Sequence, residues 1–130
     1  ERVIQHIYQK YTRAIEAVAR DNNVRTAYFL QPVPSWGKTL TDDERRAAGA
    51  NMTDPVLYRR MVDGMLTLRD RGLQMFDLGD LLKDVPETIY DDDIHFIRDT
   101  KGESRGYRLM AKAVADDLAK AWNLKAKSAN

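Results

Sequence analysis

Asp92 and His95 are the residues whose types and spacing are best suited to chemistry. They lie in the acidic segment Tyr90-Asp91-Asp92-Asp93-Ile94-His95. An imidazole can accept the proton of an attacking hydroxyl group and return it to a leaving alcohol. A carboxylate bonded to the second ring nitrogen fixes the tautomer and stabilises the imidazolium that forms. Because three residues in a loop can turn back on themselves, the spacing predicts Asp92 as the carboxylate partner of His95 acting as a general base.

The same segment has other interpretations. Asp91 and Asp93 are rivals of Asp92 as the partner of His95. Adjacent carboxylates could also hold a hard cation, because such ions take several carboxylate oxygens. The segment lacks the glycine-turned loop and the distal glutamate of such a site, so we predict no metal here. A solvated polar turn would explain the segment without any function.

The serines of the chain are Ser35, Ser104 and Ser128, and none shows a nucleophile motif. Ser35 is the best placed, because it follows a predicted strand and open α/β sheets build their sites at the carboxyl ends of strands. It lacks the Gly-x-Ser-x-Gly turn that exposes a nucleophile. Ser104 is predicted to cap the last helix, and Ser128 lies in a polar tail. No convincing attacking atom is therefore visible, and the absence of cysteine excludes thiolate catalysis and cysteine-ligated zinc.

Other conspicuous side chains have simpler interpretations. Trp36, beside Pro34, is a candidate for lining a substrate cleft, and packing onto its own scaffold would explain it equally well. His6 lies among polar residues of the first predicted helix and is predicted to be a surface residue. Met61 and Met65 occur at helical spacing and are predicted to belong to the core.

Composition and charge exclude several classes of protein. The length of 130 residues favours one domain over residues 1–130, and 43% hydrophobic with 32% charged residues is an ordinary globular balance. The 21 basic and 20 acidic residues are interspersed, so we predict no nucleic-acid partner. No apolar run approaches the about 20 residues that span a bilayer, which predicts no transmembrane segment. No pattern implies a cofactor.

The apolar pattern predicts helices that alternate with two short buried strands. Helices are predicted over residues 2–22, with one apolar face, over 41–48, from Asp54-Pro55 to Gly72, and from near Ser104 onward. Strands are predicted over residues 24–31 and 73–78, one helical turn over 80–83 and a loop over 85–101. Thr41 and Glu44 have the spacing of a capping box, which places a helix start there.

This order of elements predicts parallel strands joined by helical crossovers. Both strands have the apolar character of strands buried on two faces, yet a sheet of only two strands leaves both of them as edges. We therefore predict that the sheet is completed by an amino-terminal segment, a second polypeptide or a symmetric partner. The chain begins at Glu1 rather than Met, which leaves the compartment open and compatible with a secreted or periplasmic location.

Several motifs resemble the carboxyl-terminal half of an SGNH/GDSL hydrolase in their order and spacing. They are Tyr28-Phe29-Leu30-Gln31-Pro32, Lys38-Thr39-Leu40-Thr41-Asp42-Asp43-Glu44, Phe76-Asp77-Leu78, Asp92-Asp93-Ile94-His95 and Gly106-Tyr107-Arg108-Leu109-Met110-Ala111. The resemblance spans roughly residues 3–122. The Asp-x-x-His element is short, and its place between a Phe-Asp-Leu strand and a glycine-containing last helix makes the combination more specific.

This resemblance implies an α/β fold, a flavodoxin-like three-layer sandwich in which the chain supplies the last two of about five parallel strands and the helices around them. It implies hydrolysis of acyl esters, often acetyl groups on carbohydrates or chains on lipids, through an acyl-serine intermediate and without a cofactor. His95 would be the general base and Asp92 its partner. The family's serine nucleophile and its Gly and Asn oxyanion donors belong to the amino-terminal half, and none of these elements occurs in this chain.

A second hypothesis is a non-catalytic module with a hydrolase-like fold. Such a module would use an exposed sheet edge or the loop around Trp36 to bind a partner or a glycan. Binding without turnover distinguishes it from the part of a serine ester hydrolase that the resemblance implies.

Overall fold

Helices and strands follow one another in the predicted order. A computed structural model describes residues 2–124 of the chain. The α-helices are α1 (Arg2–Asp21), α2 (Asp42–Ala48), α3 (Pro55–Leu66) and α4 (Arg105–Ala121), and the strands are β1 (Tyr28–Leu30) and β2 (Met75–Asp77). Short 3₁₀ turns follow α2 and α3. The predicted α/β class is confirmed in this general form.

The two strands form a parallel sheet, as predicted. The paired residues are Tyr28 and Met75, Phe29 and Phe76, and Leu30 and Asp77. Each strand is shorter than the sequence predicts, with three residues in the ladder. β1 ends where Pro32 lacks a backbone donor, and the carbonyl of Gln31 accepts a hydrogen bond from the Tyr58 hydroxyl instead (2.7 Å).

The predicted helix-start signals are confirmed. Thr41 accepts a hydrogen bond from the amide of Glu44, and the Glu44 carboxylate accepts one from the amide of Thr41, which completes the capping box of α2. Asp54 caps α3 immediately before Pro55. Ser104 caps α4 through its side chain. These polar side chains satisfy amide groups that have no partner inside a helix.

The ends of two predicted elements differ from the sequence pattern. The helix predicted to reach Gly72 ends at Leu66, and a 3₁₀ stretch, Thr67–Arg71, continues the chain. Gly72 then turns the chain with a left-handed φ of 82°. Residues 80–83 lie in consecutive tight turns rather than in a helix. Within residues 2–124, no helix combines the length and the apolar character needed to cross a bilayer.

Two apolar clusters form the core. The first lies on one face of the sheet and contains Met65, Leu68, Leu73 and Met75, with Tyr28, Leu30 and Leu66 packed against it. The second contains Leu82, Ile89, Tyr90 and Phe96, with Tyr107, Leu109 and Met110 of α4 among the residues packed against it. The predicted burial of Met65 is confirmed. The second cluster supports the segment that carries Asp92 and His95.

The apolar face of α1 is exposed. Its residues are Val3, Ile4, Ile7, Tyr8, Tyr11, Ile15 and Val18, which are between 43% and 69% exposed. The helix instead contacts α3 through a polar side, where Gln9 Nε2 donates to the carbonyl of Gly64 (2.6 Å). His6 is exposed, as predicted. The helix itself is confirmed, but no described residue covers its apolar stripe, defined by the seven residues above.

Candidate functional site

Asp92 and His95 lie near the tip of a hairpin formed by residues 89–97. Tyr90 and Phe96 make an isolated antiparallel bridge at its base. Above that bridge, the amide of Asp91 donates to the carbonyl of His95 (2.9 Å). The sequence predicts a loop over this region, and the bridge is the additional feature that closes the loop into the 89–97 hairpin.

The Asp92 carboxylate organises the tip of this hairpin. Its Oδ1 accepts hydrogen bonds from the amides of Ile94 (2.7 Å) and His95 (2.6 Å). Its Oδ2 lies 2.7 Å from Nδ1 of the His95 ring. The predicted contact between the two side chains is therefore present. Because Asp92 engages Nδ1, the favoured neutral tautomer leaves a lone pair on Nε2, which has no partner among residues 2–124.

The Asp92–His95 pair is open to solvent and electrostatically coupled. The exposed fraction is 64% for the His95 side chain and 44% for the Asp92 side chain. Hydrogen bonds from the backbone and side chain of His95, and from the amide of Ile94, lower the pKa of Asp92 to about 2. The hydrogen bond to Asp92 and its negative charge raise the pKa of His95. The carboxylate is therefore ionised at neutral pH and stabilises an imidazolium, as the partner of a general base must.

We expect His95 to titrate above the ordinary histidine pKa of about 6.5 in the 130-residue chain. Asp92→Asn removes the charge that stabilises the imidazolium, so the pKa of His95 should fall toward that ordinary value. NMR titration of the imidazole C–H signals measures both proteins. A wild-type His95 pKa at or below the ordinary value would contradict the contact.

Asp91 and Asp93 make no direct contact with the His95 ring. They act on it only through longer-range charge, which adds to the rise in the pKa of His95. Across the described range 2–124, no group of three or more histidine, aspartate or glutamate side chains is arranged to hold a metal ion. The geometry favours Asp92 over its two neighbours as the partner of His95.

Helix α4 supports the hairpin from below. The rings of Phe96 and Tyr107 meet edge to face with centroids 5.0 Å apart, and the Phe96 ring also contacts Tyr90 at 5.2 Å. Gly106 permits this packing, because a Cβ at that position would lie 2.4 Å from Cγ of Phe96. The first turn of α4 thus needs glycine for the hairpin to approach.

The serines of the chain do not complete the site. The hydroxyl of Ser35 is buried and has no hydrogen-bond partner among the described residues. No described contact joins Ser35 to His95. Ser104 caps α4, as predicted, and Ser128 lies outside the described residues. Neither described serine is therefore placed as a nucleophile for His95. The absence of a convincing nucleophile from the chain stays a prediction.

Trp36 packs onto its own scaffold. Its Nε1 donates to Oδ1 of Asp80 (3.0 Å), its ring is tilted against that of Tyr58, and the guanidinium of Arg59 lies 5.6 Å from its centroid. Arg59 in turn pairs with Asp77 at the carboxyl end of β2 (2.7 Å). These contacts account for the half-buried indole. A role for Trp36 in lining a substrate cleft stays a prediction.

Sequence reasoning missed a buried ion pair between Lys38 and Glu44. Their Nζ and Oε2 atoms are 2.7 Å apart, and both side chains are inaccessible to solvent. The capping-box spacing explained Glu44 by its own helix alone. Nothing in the local pattern indicated that the same carboxylate also bonds the amides of Ile89 and Tyr90.

Comparisons with known proteins add no relative. No family model matches the chain, and neither the curated proteins nor the solved structures contain a match. The interpretation of the site therefore depends on its geometry and on the motifs described above.

Proposed function

We propose that this chain is the carboxyl-terminal, base-bearing part of a serine ester hydrolase of the SGNH/GDSL type. The observation that carries the proposal is the 2.7 Å contact between Asp92 Oδ2 and His95 Nδ1, which leaves Nε2 as the ring nitrogen facing away from the carboxylate. This is the arrangement in which a histidine can take the proton of an attacking hydroxyl. The substrate class is an acyl or acetyl ester, carried by a glycan or a lipid.

The proposed roles of His95 and Asp92 follow from the chemistry of acyl transfer. His95 Nε2 accepts the proton of a serine hydroxyl as that oxygen attacks the ester carbonyl, and it then protonates the leaving alcohol. Asp92 holds the ring and stabilises the imidazolium between these two steps. Water then attacks the acyl-serine with His95 again as the base, which releases the acid. The serine and the oxyanion donors come from a segment that precedes α1.

The two edges of the sheet differ, and the β1 edge is the one that supports completion by further strands. On the outer side of β2, Arg69 Nε donates to the carbonyl of Met75 (2.8 Å). This carbonyl is therefore already bonded to a side chain and is not free to pair with a neighbouring strand. In β1, the hydrogen bonds to β2 use Tyr28 and Leu30. Phe29 therefore directs its amide and carbonyl to the opposite edge, where no described strand pairs with them.

The apolar stripe of α1 lies near this open edge. Tyr8 of α1 and Phe29 of β1 line the same cleft, and Ile15 and Val18 line a neighbouring apolar groove. A strand parallel to β1 needs a crossover connection, which is usually a helix that covers the sheet. α1 would be that helix for a strand preceding it. The stripe and the edge together support a flavodoxin-like three-layer sandwich completed from the amino-terminal side.

A fluorophosphonate probe tests the proposed function on the complete natural protein. We expect one serine to be labelled and, by peptide mapping, to precede α1. The isolated 130-residue chain is the matched control and should stay unlabelled, because it contributes the base without the nucleophile. Hydrolysis of 4-nitrophenyl acetate should accompany labelling. A complete protein that neither labels nor hydrolyses esters, or one without a serine after its first strand, would refute the proposal.

A second candidate is a non-catalytic binding module, and the open edge of β1 is the observation that favours it. An unpaired edge can accept an extended segment of a partner. This candidate predicts that the natural protein binds a partner or glycan and shows neither labelling nor turnover.

A further inference from the structure

Glu44 is the point at which three segments of the chain meet. It is 0% exposed. Its Oε2 accepts hydrogen bonds from Lys38 Nζ (2.7 Å), in the loop that follows β1, and from the amide of Thr41 (2.8 Å), at the start of α2. Its Oε1 accepts from the amides of Ile89 (2.8 Å) and Tyr90 (3.2 Å), at the base of the 89–97 hairpin.

These contacts make Glu44 the link between the sheet and the hairpin. One oxygen is bonded to the segment that leaves the carboxyl end of β1, and the other is bonded to Ile89 and Tyr90, which lead to Asp92. Tyr90 is 1% exposed, so the attachment lies in the core rather than at the surface. Thr41 and Thr88 add a hydroxyl contact of 3.0 Å between the start of α2 and the residue that precedes the hairpin.

A buried ion pair is a weak way to gain stability. Apolar residues of similar volume are often as good or better, because both charges lose their hydration. Burial raises the pKa of Glu44, but the hydrogen bonds from Lys38 and the three backbone amides outweigh it, and the net pKa is lowered. The carboxylate is therefore ionised, and it is the only group on Glu44 that can accept from Ile89 and Tyr90 together. Bonding the amides of Ile89 and Tyr90 gives the Glu44 side chain a role in fixing the hairpin that the stability of the ion pair alone does not explain.

We infer that Glu44 is a positioning residue for His95, an inference that rests on the proposed function. Glu44 does not create the Asp92–His95 contact, because that contact lies entirely within the hairpin tip. It determines where the pair stands relative to the carboxyl ends of the strands. A shift of about 1 Å in a catalytic group can lower a rate about 10²-fold. The turnover number should therefore depend on Glu44, while the pKa of His95 should not.

Two variants separate this role from bulk stability. Glu44→Asp keeps the charge and the pairing with Lys38, but its side chain is one carbon shorter and cannot reach Ile89 and Tyr90 at the same time. Lys38→Met with Glu44→Gln removes both charges and keeps an acceptor oxygen at the original length for those two amides. In the 130-residue chain, hydrogen exchange of the Ile89 and Tyr90 amides reports the attachment. In the complete protein, kcat, KM and the pH profile report the chemistry.

We expect Glu44→Asp to speed exchange at Ile89 and Tyr90 and to lower kcat by about 10- to 10²-fold, with the midpoint of the pH profile unchanged. The double variant should keep slow exchange and a kcat within a few-fold of wild type. Assays are run well below the unfolding transition of each variant. Faster exchange in Glu44→Asp with an undiminished kcat would overturn the inference, and so would a shifted midpoint. If the wild-type complete protein hydrolyses no ester, the proposed function fails, and the exchange measurement alone decides whether Glu44 holds the hairpin.

Discussion

For the proposed ester hydrolase, replacing His95 with alanine in the complete protein is expected to lower turnover by about 10²- to 10⁴-fold, the range that a positioned general base contributes. The wild-type rate should rise as the pH increases through the pKa of His95, because only the neutral ring can accept a proton. That pKa is raised by Asp92, so the midpoint should lie above the ordinary value of about 6.5. The alanine variant should lose this limb of the profile. Stopped-time assays of kcat/KM between acidic and mildly alkaline pH measure both effects.

We expect the replacement of His95 to disturb the fold little. The His95 side chain is 64% exposed, and its backbone carbonyl keeps the hydrogen bond from Asp91 whatever side chain it carries. The unfolding midpoint should therefore change little. His6→Ala is the matched control, because it removes the other histidine from an exposed helix surface. Turnover that persists in His95→Ala, with an unchanged pH profile, would remove His95 from the mechanism.

The local features of the chain were predictable because their physical causes are local. The Asp92–His95 contact joins residues only three positions apart, and the capping box of α2 depends on Thr41 and Glu44 within a single helical turn. Ser104 was identified as a cap for the same reason. In each case the residues that interact are close in the sequence. Their types alone determine which hydrogen bonds they can make.

The long-range features were not predictable in the same way. Glu44 bonds the amide of Ile89 across 45 positions, and backbone amides have no signature in a sequence. The spacing of Glu44 was already explained by its helix cap, so no unexplained feature remained to indicate a second role. The apolar stripe of α1 shows a second limit of prediction from sequence. Periodicity identified the apolar face correctly, but it carries no information about which element covers that face.

Lys38→Met is expected to lower the free energy of unfolding by about 3 to 5 kcal/mol, because it leaves the buried carboxylate of Glu44 without its counter-charge. Domains of this kind are stable by about 5 to 15 kcal/mol, so the variant should remain folded enough to measure. Urea unfolding at pH 7 gives the difference from the midpoint at constant slope. The loss should shrink at acidic pH. The lowered pKa of Glu44 means that its ionised form contributes stability above the unfolded-state pKa of about 4.3, and that this contribution disappears as the pH falls through the folded-state value.

Two double variants show whether the ion pair or the amide contacts dominate. Lys38→Met with Glu44→Gln should recover all but about 1 to 3 kcal/mol, because the uncompensated charge is gone and the unbonded Thr41 amide is the main remaining defect. Lys38→Met with Glu44→Leu should not recover, because it leaves the amides of Thr41, Ile89 and Tyr90 without the acceptor that the buried Glu44 side chain supplies. An isolated buried ion pair would behave differently, since apolar replacement of both partners is then often neutral or stabilising. Wild-type stability in the leucine variant would mean that the hairpin is held by its apolar packing against α4 and not by Glu44.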